Sequence, residues 1–267
     1  MMANRPNPAA AARAAMAAAA NVTRGLEQVL TTVTDTGAKP DGRKQRWEKH
    51  KLARRTELTD GVIAAIRELG ADVGMDEIAA HIGVSKTVLY RYFTDKSDVG
   101  VATTVRFFET TIWPRLTEAI SDDVDEYTLT HTIIGVYVHA VDDEPNLYRF
   151  ALASSPTSSP APADSVRLVS QLVMSSIVMR MADRGADTTG AELWSHALVG
   201  GIQHVVDWWM TSRTLDADQV VDYLTMMVWS AIVGVASVDG SRDAFLAAPP
   251  PLTEPAREAP SDAGGGL

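Results

Sequence analysis

Ile78-Ala79-Ala80-His81-Ile82-Gly83-Val84-Ser85-Lys86-Thr87-Val88-Leu89-Tyr90-Arg91-Tyr92-Phe93 sets two short apolar-striped segments on either side of one glycine. Ile78, Ala79 and Ile82 recur at helical spacing before Gly83, and Leu89 and Phe93 stand four apart after it. Gly83 takes a positive φ at no Cβ cost, which suits a tight turn. Ser85 is an N-cap, because its hydroxyl can accept a bond from a free backbone N–H of the next helix. Ala79 and Ala80 are small enough for a second helix to cross closely. With Leu89 and Phe93 buried, Lys86, Thr87, Tyr90 and Arg91 project. Lysine reaches guanine acceptors in a major groove, threonine can touch a thymine methyl, and tyrosine and lysine bond phosphates. The pattern predicts a DNA-binding helix-turn-helix with its motif at 74–93.

Working outward, Leu58, Val62, Ile66 and Leu69 form one helix face, so a helix is expected from about Trp47 to Leu69, stopped by Gly70. Thr94 and Asp95 cap a further helix beginning near Lys96. The remainder shows no period-2 alternation and reads as helix near 96–120, 124–141, 145–152, 164–184, 188–211 and 216–237, with a kink at Pro114. Ser154–Ala163 is a Ser/Pro/Ala loop. The resulting organisation is an Ala-rich, partly disordered extension (1–42), a helix-turn-helix domain (43–98), a helical effector-binding and dimerisation domain (99–238), and a disordered tail (239–267).

Charge separates the two halves. Residues 1–106 hold 16 Lys/Arg against 12 Asp/Glu, whereas residues 107–267 hold 8 against 22. One half is therefore suited to a polyanion and the other is not. Residues 43–55 concentrate the excess, with Arg43, Lys44, Arg46, Lys49, Lys51, Arg54 and Arg55 against Glu48 alone. By itself this run reads equally as a solvated helix face; its place just ahead of the motif favours DNA. The chain has no cysteine, which excludes disulfides and thiolate metal sites and fits a reducing cytoplasm. No run of 18 apolar residues exists, so no membrane span is expected. His131 and His139 are eight apart, as are His196 and His204, and neither pair converges on one ion, so no metal or cofactor is expected. Gly-rich phosphate loops, G-x-S-x-G and H-E-x-x-H are absent, which argues against an enzyme.

The stretch from Ile78 to Lys96 closely resembles the tetracycline-repressor (TetR) family signature. It shares Ile78-Ala79, the turn Gly83-Val84-Ser85, Leu89-Tyr90, an aromatic before Phe93, and Lys96 three residues later. The resemblance is strong from Arg54 to about Phe107 and rests on helix order beyond that. It implies an all-α chain: a three-helix DNA-binding domain, then a helical bundle that binds ligand and dimerises. It makes Ser85, Lys86, Thr87 and Arg91 candidate DNA contacts, with Tyr90, Tyr92 and Lys96 on the phosphate backbone. It also implies an arm at Arg43-Lys44-Gln45-Arg46 before the first helix, which would enter the minor groove or attract phosphate non-specifically. Thr87, Val88 and Gly74 depart from the family pattern, which leaves the operator sequence open.

Trp194, Leu198, Gly201, Val205 and Trp208, with Val220, Leu224, Val228, Ala231 and Val235, mark the last two long helices as a dimerisation pair, or else as plain monomer core. Phe107, Phe108, Trp113, Tyr137, Tyr148, Phe150, Met174 and Met179 are candidate lining for a pocket holding a small apolar effector; the same set serves equally as core. The expectation is a homodimeric, ligand-responsive repressor on a near-palindromic DNA operator. The alternative is a DNA-binding regulator or architectural protein with no effector.

Overall fold

The computed structural model describes residues 42–119, 125–153 and 160–250, and among these every regular element is helical. The elements are α1 (Gly42–Leu69), α2 (Met75–Ile82), α3 (Lys86–Tyr92), α4 (Lys96–Phe107), a π-helical turn (Phe108–Ile112), α5 (Trp113–Ala119), α6 (Glu126–Asp143), α7 (Pro145–Ala153), α8 (Pro160–Ala182), α9 (Ala191–Ser212), α10 (Ala217–Ala236) and α11 (Arg242–Ala247). Residues 1–41, 120–124, 154–159 and 251–267 lie outside the described residues, and α8 begins at Pro160, so helix takes the last four residues of the loop expected at 154–163.

The helix-turn-helix domain is built on one apolar cluster. Leu58, Val62 and Ile66 of α1 meet Ile78 and Ala79 of α2, Leu89 and Phe93 around α3, and Val99 of α4, all nearly inaccessible to solvent. Leu69, expected on this face, is half exposed, and Val73 from the connector is buried instead. Ala80 is exposed, so the small residue beneath the crossing is Ala79. A second close approach lies at Gly61, where a Cβ would stand 2.9 Å from Cγ1 of Ile82.

Around Pro114, where a kink is expected, the helical run from Lys96 to Ala119 is not uniform. The irregularity falls just before it: the π turn lets the Trp113 N–H donate to the Phe108 carbonyl, five residues back. This wider turn moves carbonyls away from the proline ring, which would collide with the one four residues behind it.

Two further clusters make the C-terminal domain. Ile134, Val138 and Val141 of α6 pack with Val206, Trp209 and Met210 of α9 and with Val220, Val221, Leu224 and Val228 of α10. Ile112, Leu116, Leu129 and Ala140 form a smaller group, with Phe107 and Phe108 against it. α10 starts at a capping box in which Asp216 and Gln219 bond each other's backbone N–H. By length and composition α10 could cross a bilayer, yet its Val220–Val228 side packs within the fold, against α6.

α7 joins the domains. Leu147 and Phe150 enter the helix-turn-helix core, while Tyr148 faces the cluster of α6, α9 and α10. Arg67 of α1 donates three bonds to the Glu144 carboxylate just before α7, at 2.6–3.1 Å. Arg106 of α4 pairs with Asp60 of α1 at 2.6 Å. The chain stays ordered past 238, where disorder is expected from composition. The reason is a backbone contact: the Asp187 N–H donates to the Asp239 carbonyl at 2.8 Å, and Gly240, at φ +71°, lies where any Cβ would strike the Asp187 carbonyl. Ser241 then caps the short α11.

Candidate nucleic-acid interface

α2 ends in a left-handed glycine. Gly83 has φ +77°, its N–H donates to the Ala80 carbonyl at 3.1 Å, and the Val84 N–H donates to the Ala79 carbonyl at 2.9 Å. Ser85 follows in an extended conformation, and its hydroxyl oxygen accepts the Val88 N–H at 3.3 Å. These bonds fix where α3 leaves the turn. Gly74 caps α2 without a side chain, and the Glu77 carboxylate accepts the Gly74 N–H at 2.8 Å, which is one of the two bonds of a capping box.

Leu89 and Phe93 anchor α3 from below. Ser85, Lys86, Thr87, Tyr90 and Arg91 are exposed. The last four stand at i, i+1, i+4 and i+5, so they share one outward face. Val88 is half-buried, which explains how an apolar residue is tolerated there. Tyr92 and Lys96 do not join this face fully. Tyr92 packs against the domain core, and the Lys96 ammonium lies 5.2 Å from the centre of the Phe150 ring, so both are half-buried.

The Lys86 ammonium is engaged. It sits 2.8 Å from one oxygen of Asp76 and 3.0 Å from the other. The hydrogen bond and the charge of Asp76 hold its pKa above the ordinary lysine value.

The basic run before the motif divides. α1 is helical from Gly42, so Arg43, Lys44 and Arg46 belong to a helix and not to an extended arm; their side chains lie outside the described residues. A helix presents its cations along its own surface and does not thread a minor groove as an arm does. Lys49, His50 and Trp47 are exposed on the same helix, with the Lys51 ammonium 5.5 Å from the Trp47 ring. Arg55 is structural. It pairs with Asp98 at 2.5 Å, stacks 4.6 Å over the Phe93 ring, and donates to the Tyr92 carbonyl. Asp98 also accepts the Thr94 N–H at 2.9 Å. Arg55 therefore clamps the end of α3 to α4 from behind. Its position three residues before Leu58, on the buried face of α1, is the signal in the sequence that separates it from its basic neighbours.

The aromatic and methionine set is spread over three neighbouring clusters. Phe150 belongs to the helix-turn-helix core and Tyr148 to the α6–α9–α10 cluster, Phe108 packs on the smaller group, and Phe107 and Tyr137 bridge that group to the first and the second. Trp113 is half-buried at the start of α5, and Met179 is exposed on α8. Met174 lines a cavity of about 160 Å³ between α8 and α9, with Ser170, Gln171, Glu192, Ser195 and His196. Its wall exposes more apolar than polar surface, although most of the lining residues carry polar groups, and the fully buried Ser170 hydroxyl lacks a hydrogen-bond partner.

The residues expected at a dimer interface are divided in the protomer. Leu224 and Val228 are buried within the protomer against α6, and Leu198 and Val205 are half-buried against the same cluster. Trp194 and Gly201 are half-buried, and Trp208 is exposed. On α10 the exposed large apolar residues are Met226 and Val233, opposite the expected stripe, and Tyr223, Met227 and Ile232, which flank it; Leu193 and Trp208 are exposed on α9. The α10 helix is apolar nearly all round, so its sequence does not tell which side the protomer core takes.

Two family models match the chain: bacterial regulatory proteins of the tetR family over residues 59–102, and a tetracyclin repressor-like C-terminal domain over residues 115–244. An uncharacterised HTH-type transcriptional regulator of Mycobacterium tuberculosis is 47% identical over 214 residues, 80% of this chain and 92% of that protein. The HTH-type transcriptional activator FasR of Mycolicibacterium smegmatis is 22% identical over 161 residues, 60% of this chain and 73% of that protein. Among solved structures, a tetR-family transcriptional regulator from Streptomyces coelicolor aligns at TM-score 0.54 with 17% identity, over 73% of this chain and 86% of that one. The fatty acid degradation regulator FadR from Bacillus halodurans aligns at TM-score 0.51 with 16% identity, over 66% and 94%. The structural matches bear on the fold, and the sequence matches on descent. A helix-turn-helix with an open polar face, a helical C-terminal domain behind it, and these relatives agree: the chain belongs to the TetR family of DNA-binding transcriptional regulators.

Proposed function

We propose that the protein acts as a homodimeric repressor that reads a near-palindromic operator through Ser85, Lys86, Thr87, Tyr90 and Arg91. The observation that carries this reading is the outward face of α3, whose four polar side chains stand clear of the core while Leu89 and Phe93 hold the helix beneath. Two such helices must meet successive major grooves about 34–36 Å apart, or a multiple of that, so the protein must pair with two-fold symmetry. The exposed Tyr223, Met226, Met227 and Val233 on α10 supply an apolar surface suited to a second copy. Under this reading Met226→Glu converts the dimer to monomers in analytical ultracentrifugation and weakens operator binding.

Release by a small ligand completes the proposal. The cavity between α8 and α9 suits a compact, mainly apolar molecule with a few hydrogen-bonding groups, given its small volume and its mixed wall. A ligand lowers operator affinity only if it binds the non-reading conformer more tightly, and DNA must then weaken ligand binding by the same factor. A second reading has its own support: the aromatic residues are divided among three packed clusters, as a regulator without an effector requires.

Selection of bound duplexes from a random pool tests the central claim. The expected product is a two-fold repeat with half-sites about 10 base pairs apart or a multiple. Lys86→Ala and Tyr90→Ala should then bind it more weakly while keeping the helical circular dichroism spectrum. Recovery of no shared sequence, or full affinity in both variants, would overturn the assignment.

A further inference from the structure

We propose that Asp76 is a specificity-determining residue, which holds the Lys86 ammonium on the reading face of α3 and discounts its capture by phosphate alone. The inference rests on α3 being the DNA-facing helix. Asp76 stands in the first turn of α2 and Lys86 in the first turn of α3, and the Gly83 turn fixes the distance between them. The two carboxylate oxygens lie 2.8 and 3.0 Å from the ammonium.

Folding draws only a little from this carboxylate, which meets the helix dipole in the first turn of α2 at an exposed position. The N-terminus of α2 is already served by Glu77, whose oxygen accepts the Gly74 N–H at 2.8 Å. The pair itself is open to water, with side-chain exposures of 51% for Lys86 and 72% for Asp76, and such pairs add little to folding. The consequence falls on binding. Non-specific affinity comes from cations that neutralise phosphates and release counterions. Lys86 paired with Asp76 brings no net charge to that exchange, and if it leaves for a phosphate, a bare carboxylate is left facing the polyanion. At a cognate site the ammonium donates to base acceptors such as O6 and N7 of guanine while still donating a proton to Asp76 on its other side. The carboxylate thus penalises phosphate-only complexes more than operator complexes.

Asp76→Asn keeps the shape and removes the charge. With the full-length protein, binding to a random-sequence duplex and to the selected operator is measured across a salt series. The variant should bind the random duplex about two- to five-fold tighter, the scale of one exposed ion pair. Its logarithmic salt slope should steepen by about 0.9, one further phosphate contact. The operator should gain less, so the ratio of the two affinities falls. In a Lys86→Ala background the steeper slope should vanish and the gain on random DNA should shrink to the relief of one carboxylate's repulsion, because the added phosphate contact is that lysine's. The proposal is overturned if Asp76→Asn leaves random-duplex affinity and slope unchanged, if operator and random duplex gain equally, or if the slope change and the full gain survive in the Lys86→Ala background. Failure of the underlying reading looks different: Lys86→Ala alone would bind the operator as the parent does.

Discussion

Asp98→Asn removes the charge that fastens Arg55 behind the recognition helix while keeping an oxygen for the Thr94 N–H. The side chains of Arg55 and Asp98 are 16% and 22% exposed, and they meet through two nitrogen–oxygen contacts of 2.5 and 3.2 Å. Removing one partner of a fully buried pair costs about 3–5 kcal/mol, and of an exposed pair less than about 1 kcal/mol. With about a fifth of each side chain open, the expected loss is about 2–3 kcal/mol. Arg55 would then lie over Phe93 with its charge uncompensated. For a domain of this size such a loss lowers Tm by roughly 4–12 °C. Asp60→Asn is the matched comparison: its pair with Arg106 has the same 2.6 Å class of contact, but Asp60 is 49% exposed, and the change should cost less than about 1 kcal/mol. Urea and thermal unfolding followed by circular dichroism measure both. A double-mutant cycle with Arg55→Met isolates the pair from the Thr94 bond, and its coupling should exceed about 1 kcal/mol. If Asp98→Asn costs no more than Asp60→Asn, or the coupling is near zero, Arg55 does not clamp α3 and belongs with the DNA-facing cations after all.

Gly61→Ala should destabilise by about 1 kcal/mol in the same unfolding assay: helix propensity favours alanine by about 1 kcal/mol, but overpacking against Ile82, whose Cγ1 would be 2.9 Å away, costs about 1–3 kcal/mol. An unchanged or raised stability would show that α2 yields without cost. At high pH, burial holds the Tyr137 phenol up to about 12 and raises that of Tyr148 as well. The folded state keeps protons that the unfolded state loses from pH 10 upward, so stability is full below pH 10 and falls as pH rises through 12, by about 1.4 kcal/mol per unit for each phenol. Ultraviolet titration should show two tyrosines ionising late; six phenols titrating together near 10 would refute the burial.

The helix-turn-helix was legible because its determinants are local. Gly83, Ser85, Leu89 and Phe93 act over one or two helical turns, where spacing along the chain equals spacing in space, so the motif and its polar face follow from residue order. Helix positions in the C-terminal half were legible for the same reason. Which side of those helices meets what was not. α10 is apolar on nearly every side, and only packing against α6 commits Leu224 and Val228 to the protomer core and leaves Tyr223 and Met226 outside. The same holds for charge. Arg55 reads as one more cation in a basic run until folding brings Asp98, 43 residues away in sequence, against it, and Lys86 reads as free until α2 presents Asp76. Residue type and period therefore determined the elements and the family. Partners distant in sequence, joined only when the chain closes, decided which cations are tied to carboxylates, which aromatic residues fill the cores, and which apolar side of α10 stays exposed.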